Sequence, residues 1–250
     1  MKVYETDILK KDNYFFGSNI ILTGITFIFF ISYFVICVLE QSFFSTSFII
    51  LFLLFIGSFI LFFEAPNFMI PLKLLRIFWI TFLFRFSTNV IFHLILVRTV
   101  PSGAPFWHWG GDVGGDEFNF FNNAHTWAQV FLENKIWDTP DPYHYDYQVW
   151  IYCLGLIRYI GTIMGGDTAF NLKLLSCFFT SILVPYIYLF SNLFFDKKIS
   201  KTATILSFFL PDYLFFGASL VRDTMISFFL LYIFYQFYHL YKKESYRFIR

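Results

Sequence analysis

Asp116 and Glu117 follow a pair of glycines in Gly114-Gly115-Asp116-Glu117-Phe118, and a second acid far along the chain, Asp223, directly follows Arg222. A carboxylate in such a place can accept a proton from a hydroxyl or bind a cation, and an arginine beside it can hold a phosphate. Each acid precedes a stretch of helical pattern, so each is a candidate N-cap. There, backbone N–H groups and the positive end of the helix dipole keep a carboxylate ionised. Capping alone accounts for Asp116 about as well as chemistry does. The flanking glycines, which let a backbone approach a substrate closely, favour chemistry.

Three further residues belong to this set. Arg98 is a second phosphate candidate, with a snorkelling side chain as the equal alternative. His125 and His144 flank the acids, but neither has a His or carboxylate four residues away that would read as a zinc motif. Their plain reading is as polar-face residues. Arg85 lies deep within an apolar run, where a charge is functional by default unless the run shifts enough to carry it to an end.

The elements that must position these groups are membrane helices. Of the 250 residues 58% are hydrophobic, 14% are charged and 40 are Phe, so the expected class is an all-α, polytopic membrane protein. A net charge of +1 gives no basic field for nucleic acid. Cys37, Cys153 and Cys177 lie in or beside apolar runs without metal-ligand spacing, and so read as packing residues. The phenylalanines read as lipid-facing or packed bulk.

A polar N-terminal tail with Lys2, Lys10 and Lys11 precedes a first span over Ser18 to Leu39, read as an uncleaved anchor. A second span runs from Phe48 to Phe63 and ends before Pro66, and a third from about Arg76 to Val97. Residues 98–148 then form a loop too rich in Gly and Pro for lipid exposure. Its acids Asp112, Asp116, Glu117, Glu133, Asp138, Asp141 and Asp146 face only Arg98 and Lys135 as full cations. Within it, Phe118, Phe121, Ala124, Ala128, Phe131 and Leu132 recur at helical spacing, predicting an amphipathic helix on the membrane surface.

Apolar stretches follow at Val149 to Met164, Leu174 to Phe195, Thr202 to Phe216 and Thr224 to Tyr241. If all of them crossed, the cluster Lys197, Lys198 and Lys201 and the tail with Lys242, Lys243, Arg247 and Arg250 would lie outside, against the positive-inside rule. Laying the short stretch with Arg158 along the outer interface puts both clusters inside. The expectation is therefore about six transmembrane helices plus interfacial helices, both termini cytoplasmic, with Asp116 and the turn Gly217 to Asp223 on the outer face.

In order, these features resemble the GT-C superfamily of membrane glycosyltransferases, such as the protein O-mannosyltransferases and aminoarabinose transferases, over residues 76–241. The similar motifs are Asp116-Glu117-Phe118-Asn119-Phe120 opening an outer loop, an interfacial helix ending in a Gly turn (Tyr147 through Gly166), and a span ending in a basic turn (Asn171 through Lys201). A helix with a mid-helix Pro211 and an outer acid in Arg222-Asp223 complete the set. The resemblance implies residues 1–75 as a tail with two added helices and 76–250 as a catalytic core incomplete at its C-terminus. It implies a polyprenyl-phosphate-linked sugar donor, an acceptor hydroxyl on a glycan, lipid or protein, and inverting transfer at the outer face of the cell membrane. Asp116, Glu117 and Asp223 are then the catalytic candidates, and Arg222, Arg98, His125 and His144 the substrate-binding ones. Some relatives bind a divalent metal such as Mg or Mn through the loop acid and others do not; Asp116 is the ligand if one is bound. Relatives also carry a basic residue before the interfacial helix, for which His144 is the nearest substitute. The alternatives are a polymerase or ligase of envelope polysaccharide, a transporter or flippase, and a non-catalytic membrane subunit.

Overall fold

The computed structural model describes residues 19–64, 69–99, 116–133, 148–166, 168–217 and 222–241. The secondary structure among them is helical: α1 (Asn19–Glu40), α2 (Phe43–Glu64), α3 (Met69–Thr99), α4 (Asp116–Leu132), α5 (Gln148–Ile163), α6 (Ala169–Phe194), α7 (Lys197–Phe209), α8 (Pro211–Gly217) and α9 (Asp223–Tyr241). Four of these, α1, α2, α3 and α6, are long and apolar enough to cross a membrane. The described residues are thus all-helical, with four helices of the length and apolarity that a membrane crossing needs.

α6 is the centre of the bundle. Nearly its whole length is buried, from Ala169 to Ser191, and α2, α3, α5, α7, α8 and α9 all pack on it. α3 runs antiparallel to it: Lys73 donates to the Tyr188 hydroxyl at 3.2 Å near one end, Phe78 meets Phe178 in the middle, and Phe86 and His93 both pack on Phe170 near the other end. α9 runs parallel to α6, with Phe228 and Phe229 on Phe179, Tyr186 against Phe228, Tyr232 and Tyr235, and Phe194 on Tyr238. Lipid supplies no hydrophobic drive between helices, so such contacts rest on shape. At Gly57 a side chain would collide with the rings of Phe78 and Phe178, so glycine lets α2 reach the α3–α6 seam.

Several helices begin earlier than apolar runs alone indicate. α2 starts at Phe43 rather than Phe48 because its Ser and Thr hydroxyls find partners: Ser45 donates to the Ser42 carbonyl at 3.1 Å and Thr46 to Asn171 Oδ1 at 2.8 Å. α3 reaches from Met69 to Thr99, beyond both ends of the expected span. α6 starts at Ala169 rather than Leu174, where the Thr168 hydroxyl accepts from the Asn171 N–H at 3.3 Å as an N-cap.

The expected span from Thr202 to Phe216 is corrected. Asp196 caps α7 by accepting from the Ile199 N–H at 2.8 Å, so that helix begins at the lysines. It ends at Phe209, and Leu210, with φ −57° and ψ 123°, turns the chain into the seven-residue α8. The cause is Pro211: it has no N–H and disfavours a helical residue before it, so it opens a new helix instead of sitting within one. The 13 residues of α7 extend about 20 Å, short of a hydrocarbon core.

Candidate functional site

Five helix termini meet at one end of the bundle: the end of α1, the start of α2, the end of α3, and the starts of α6 and α9. Glu40, closing α1, lies 2.7 Å from His93 Nε2 on α3, a side chain only 2% exposed. Asn171 on α6 accepts from Thr46 and donates from Nδ2 to the Ser45 hydroxyl at 3.2 Å and to the Gly166 carbonyl at 3.1 Å. Buried amides need such partners, and this one ties α2, α6 and the turn after α5 together. That turn closes α5 with Gly165 at φ +82°, its N–H bonded to the Thr162 carbonyl and the Gly166 N–H to that of Gly161. A side chain at Gly166 would strike Ser42 and Ser45.

At the same end α4 and α5 form a helical pair. The α4 stripe Phe120, Ala124, Ala128 and Phe131 is buried, whereas Phe121 is half-buried and Leu132 is 46% exposed. The expected amphipathic helix is present, with its buried face shifted from the expected one because it packs on α5. At Gly155 a side chain would come within 2.5 Å of the Trp127 Cβ, which sets the closeness of the two helices. The buried Arg158 donates to the Phe121 carbonyl at 2.8 Å and lies over the Phe121 ring at 4.2 Å.

Asp116 and Asp223 are the first residues of α4 and α9; at α9 the cap position expected for Asp223 falls to Arg222, whose carbonyl accepts from the Ile226 N–H at 3.1 Å. The side chains of Asp116, Glu117 and Arg98 lie outside the described ones, as does all of His144; Arg98 falls in the last turn of α3. Arg222 Nε stands 3.8 Å from Asp223 Oδ1, with Asp223 exposed. Because α9 runs parallel to α6, its first residue lies at the end that carries Glu40, His93 and Asn171. His125 is exposed on α4 and bonds to Gln129 at 3.0 Å. Among the described residues no group of three or more His, Cys, Asp or Glu could hold a metal ion, and Cys37, Cys153 and Cys177 are free thiols.

Of the buried polar groups on α3 and α6, sequence reading singles out Arg85 and passes over Asn89, His93 and Lys173. Arg85, which an end-shift of the span would have brought to a surface, is 2% exposed in mid-helix, and its Nη2 donates at 3.0 Å to the carbonyl of Ser207, in the last turn of α7. Asn89 and Lys173 are fully buried. Spacing by four along α3 (Arg85, Asn89, His93) was the available signal for a polar stripe. Compared with protein-family models, with curated proteins and with solved structures, the chain matches none.

Proposed function

We propose that the chain is a membrane glycosyltransferase of the GT-C type, which moves a sugar from a polyprenyl-phosphate carrier to an acceptor hydroxyl at the outer face of the membrane. The observation that carries the reading is the order of its motifs along the chain, together with the two acid-led helices: α4 begins at Asp116, α9 begins at Asp223, and the start of α9 shares one bundle end with the polar layer of Glu40, His93 and Asn171. Supporting it, α5 is a separate short helix that ends in a glycine turn before α6. The topology in this reading has six crossings, counting α7 with α8 as one broken crossing and α9 as the last, with both termini cytoplasmic.

In the reaction Asp116 accepts the proton of the acceptor hydroxyl. The freed oxygen attacks the anomeric carbon, the bond from that carbon to the phosphate oxygen breaks, and the electron pair leaves with the polyprenyl phosphate. The configuration inverts because attack and departure are on opposite faces. Arg222 or Arg98 steadies the charge on the departing phosphate, Glu117 and Asp223 complete the acidic site, and His125 and His144 contact the substrates.

A transporter is the second reading. The α7–α8 break at Leu210 and the buried Arg85 are features of helices that line a substrate path. The test is to reconstitute the chain in liposomes made with a total extract of its native membranes, which supplies both polyprenyl-phosphate-linked sugars and acceptors. Release of polyprenyl phosphate supports the transferase; passage of lipid-linked sugar between leaflets with no covalent change supports the transporter.

A further inference from the structure

Between α3 and α6 the bundle holds polar groups that the proposed reaction does not use. Phe86 and His93 both pack on Phe170, so Asn89, between them on α3, and Lys173, one turn past Phe170 on α6, occupy one thin slice of the bundle. Arg85 is one turn further along α3. Lys173 and Asn89 are 0% exposed and Arg85 is 2% exposed.

Asn89 is the telling member. Among the described residues, neither its amide nitrogen nor its amide oxygen has a hydrogen-bond partner, and the buried Ser176 hydroxyl, one turn from Lys173, has none either. A buried amide without partners is costly. Asn89 lies on the α6-facing side of α3, the side that also carries Phe78, Phe82 and Phe86. By the same register, this depth of the bundle also holds Arg85 and Lys173, side chains with five and three N–H groups. One of the arginine donors goes to Ser207, and a guanidinium can bind an anion with others while keeping that bond.

We propose that this slice is a binding site for a phosphate group that carries or adjoins a hydroxyl. The phosphate oxygens accept from Lys173, Arg85 and the Asn89 NH₂, and the hydroxyl donates to the Asn89 oxygen. The demand for both an acceptor and a donor at Asn89 selects this chemistry over a bare halide or a simple carboxylate. The phosphate can belong to a membrane lipid headgroup or be free in solution. The site does not rest on the glycosyltransferase reading, since it uses neither Asp116 nor Asp223.

The test measures the thermal unfolding midpoint of the full chain in a zwitterionic detergent, with added phosphatidylglycerol, phosphatidylcholine or inorganic phosphate. Phosphatidylglycerol is expected to raise the wild-type midpoint and phosphatidylcholine to leave it unchanged. An equal rise with inorganic phosphate assigns the free anion; a rise with the glycerol lipid alone assigns a headgroup. Asn89→Leu, which removes the partnerless amide, is expected to unfold at a higher midpoint without additive and to require about tenfold more phosphatidylglycerol or phosphate for the same shift. If Asn89→Leu does not fold, Asn89→Asp, whose carboxylate meets the cations itself, is expected to lose the response in its place. An unresponsive wild type, or a variant that responds as the wild type does, overturns the proposal.

Discussion

Arg158 on α5 holds α4 by its backbone: its guanidinium donates to the Phe121 carbonyl at 2.8 Å and covers the Phe121 ring at 4.2 Å. Phe121 is little more than one turn into α4, the helix that Asp116 begins, so the position of that acid relative to the bundle depends on an arginine from the following helix. The seam beside it is equally close at Gly155 and Trp127.

Arg158→Leu removes a charged hydrogen bond and a cation–π contact in a buried place, and is expected to cost about 2–3 kcal/mol in thermal or denaturant unfolding. Arg158→Lys restores little of this, because an ammonium cannot both stack and present the same planar donors. Gly155→Leu forces α4 off α5 and is expected to cost about 1–3 kcal/mol. In the glycosyltransferase reading both variants also lower turnover by displacing Asp116.

Asn171 and Asn89 are predicted to respond with opposite signs. Asn171→Leu takes one hydrogen bond each from the Thr46 and Ser45 hydroxyls and the Gly166 carbonyl, so about 1–3 kcal/mol of stability is expected to be lost. Asn89→Leu, which strands nothing, is expected to stabilise the ligand-free protein. Midpoints of the two variants measured side by side check the pair; equal destabilisation would show that Asn89 makes bonds of its own.

The helices were legible where composition and caps agree, and obscure where long-range partners decide. Runs of Phe, Leu and Ile located α1, α3 and α9, and the acids marked the starts of α4 and α9. Ser45, Thr46 and Asn171 were invisible as a unit because more than a hundred residues separate Asn171 from the other two, and only their pairing turns polar residues into helix. Pro211 could be read either as a kink within a span or as the start of a helix, and Leu210 shows it is a start. The buried polar stripe of α3 was hidden by the hydrophobicity around it: Arg85 stood out as a charge, but nothing in the sequence shows that α6 brings Lys173 to the same depth. Arg158 looked like an interfacial charge until its partner on α4 was seen.

Sidedness is predicted by the six-crossing topology. Single-cysteine variants at positions 116, 223 and 199, in a chain lacking Cys37, Cys153 and Cys177, are to be treated in intact cells with a membrane-impermeant thiol reagent. Positions 116 and 223 are expected to label and 199 to remain protected. Labelling of 199 with protection of 223 would mean that α5 crosses the membrane, separating the two acids.

The most direct measurement compares wild type with Asp116→Asn in liposomes supplied with polyprenyl-phosphate-linked sugars and acceptors from a native membrane extract, following release of polyprenyl phosphate, a product common to every acceptor. Asparagine keeps the shape but cannot take the hydroxyl proton, so the account predicts a fall of about 10²–10⁴-fold with an unchanged unfolding midpoint. Near wild-type release by Asp116→Asn would contradict the claim that this carboxylate is the base.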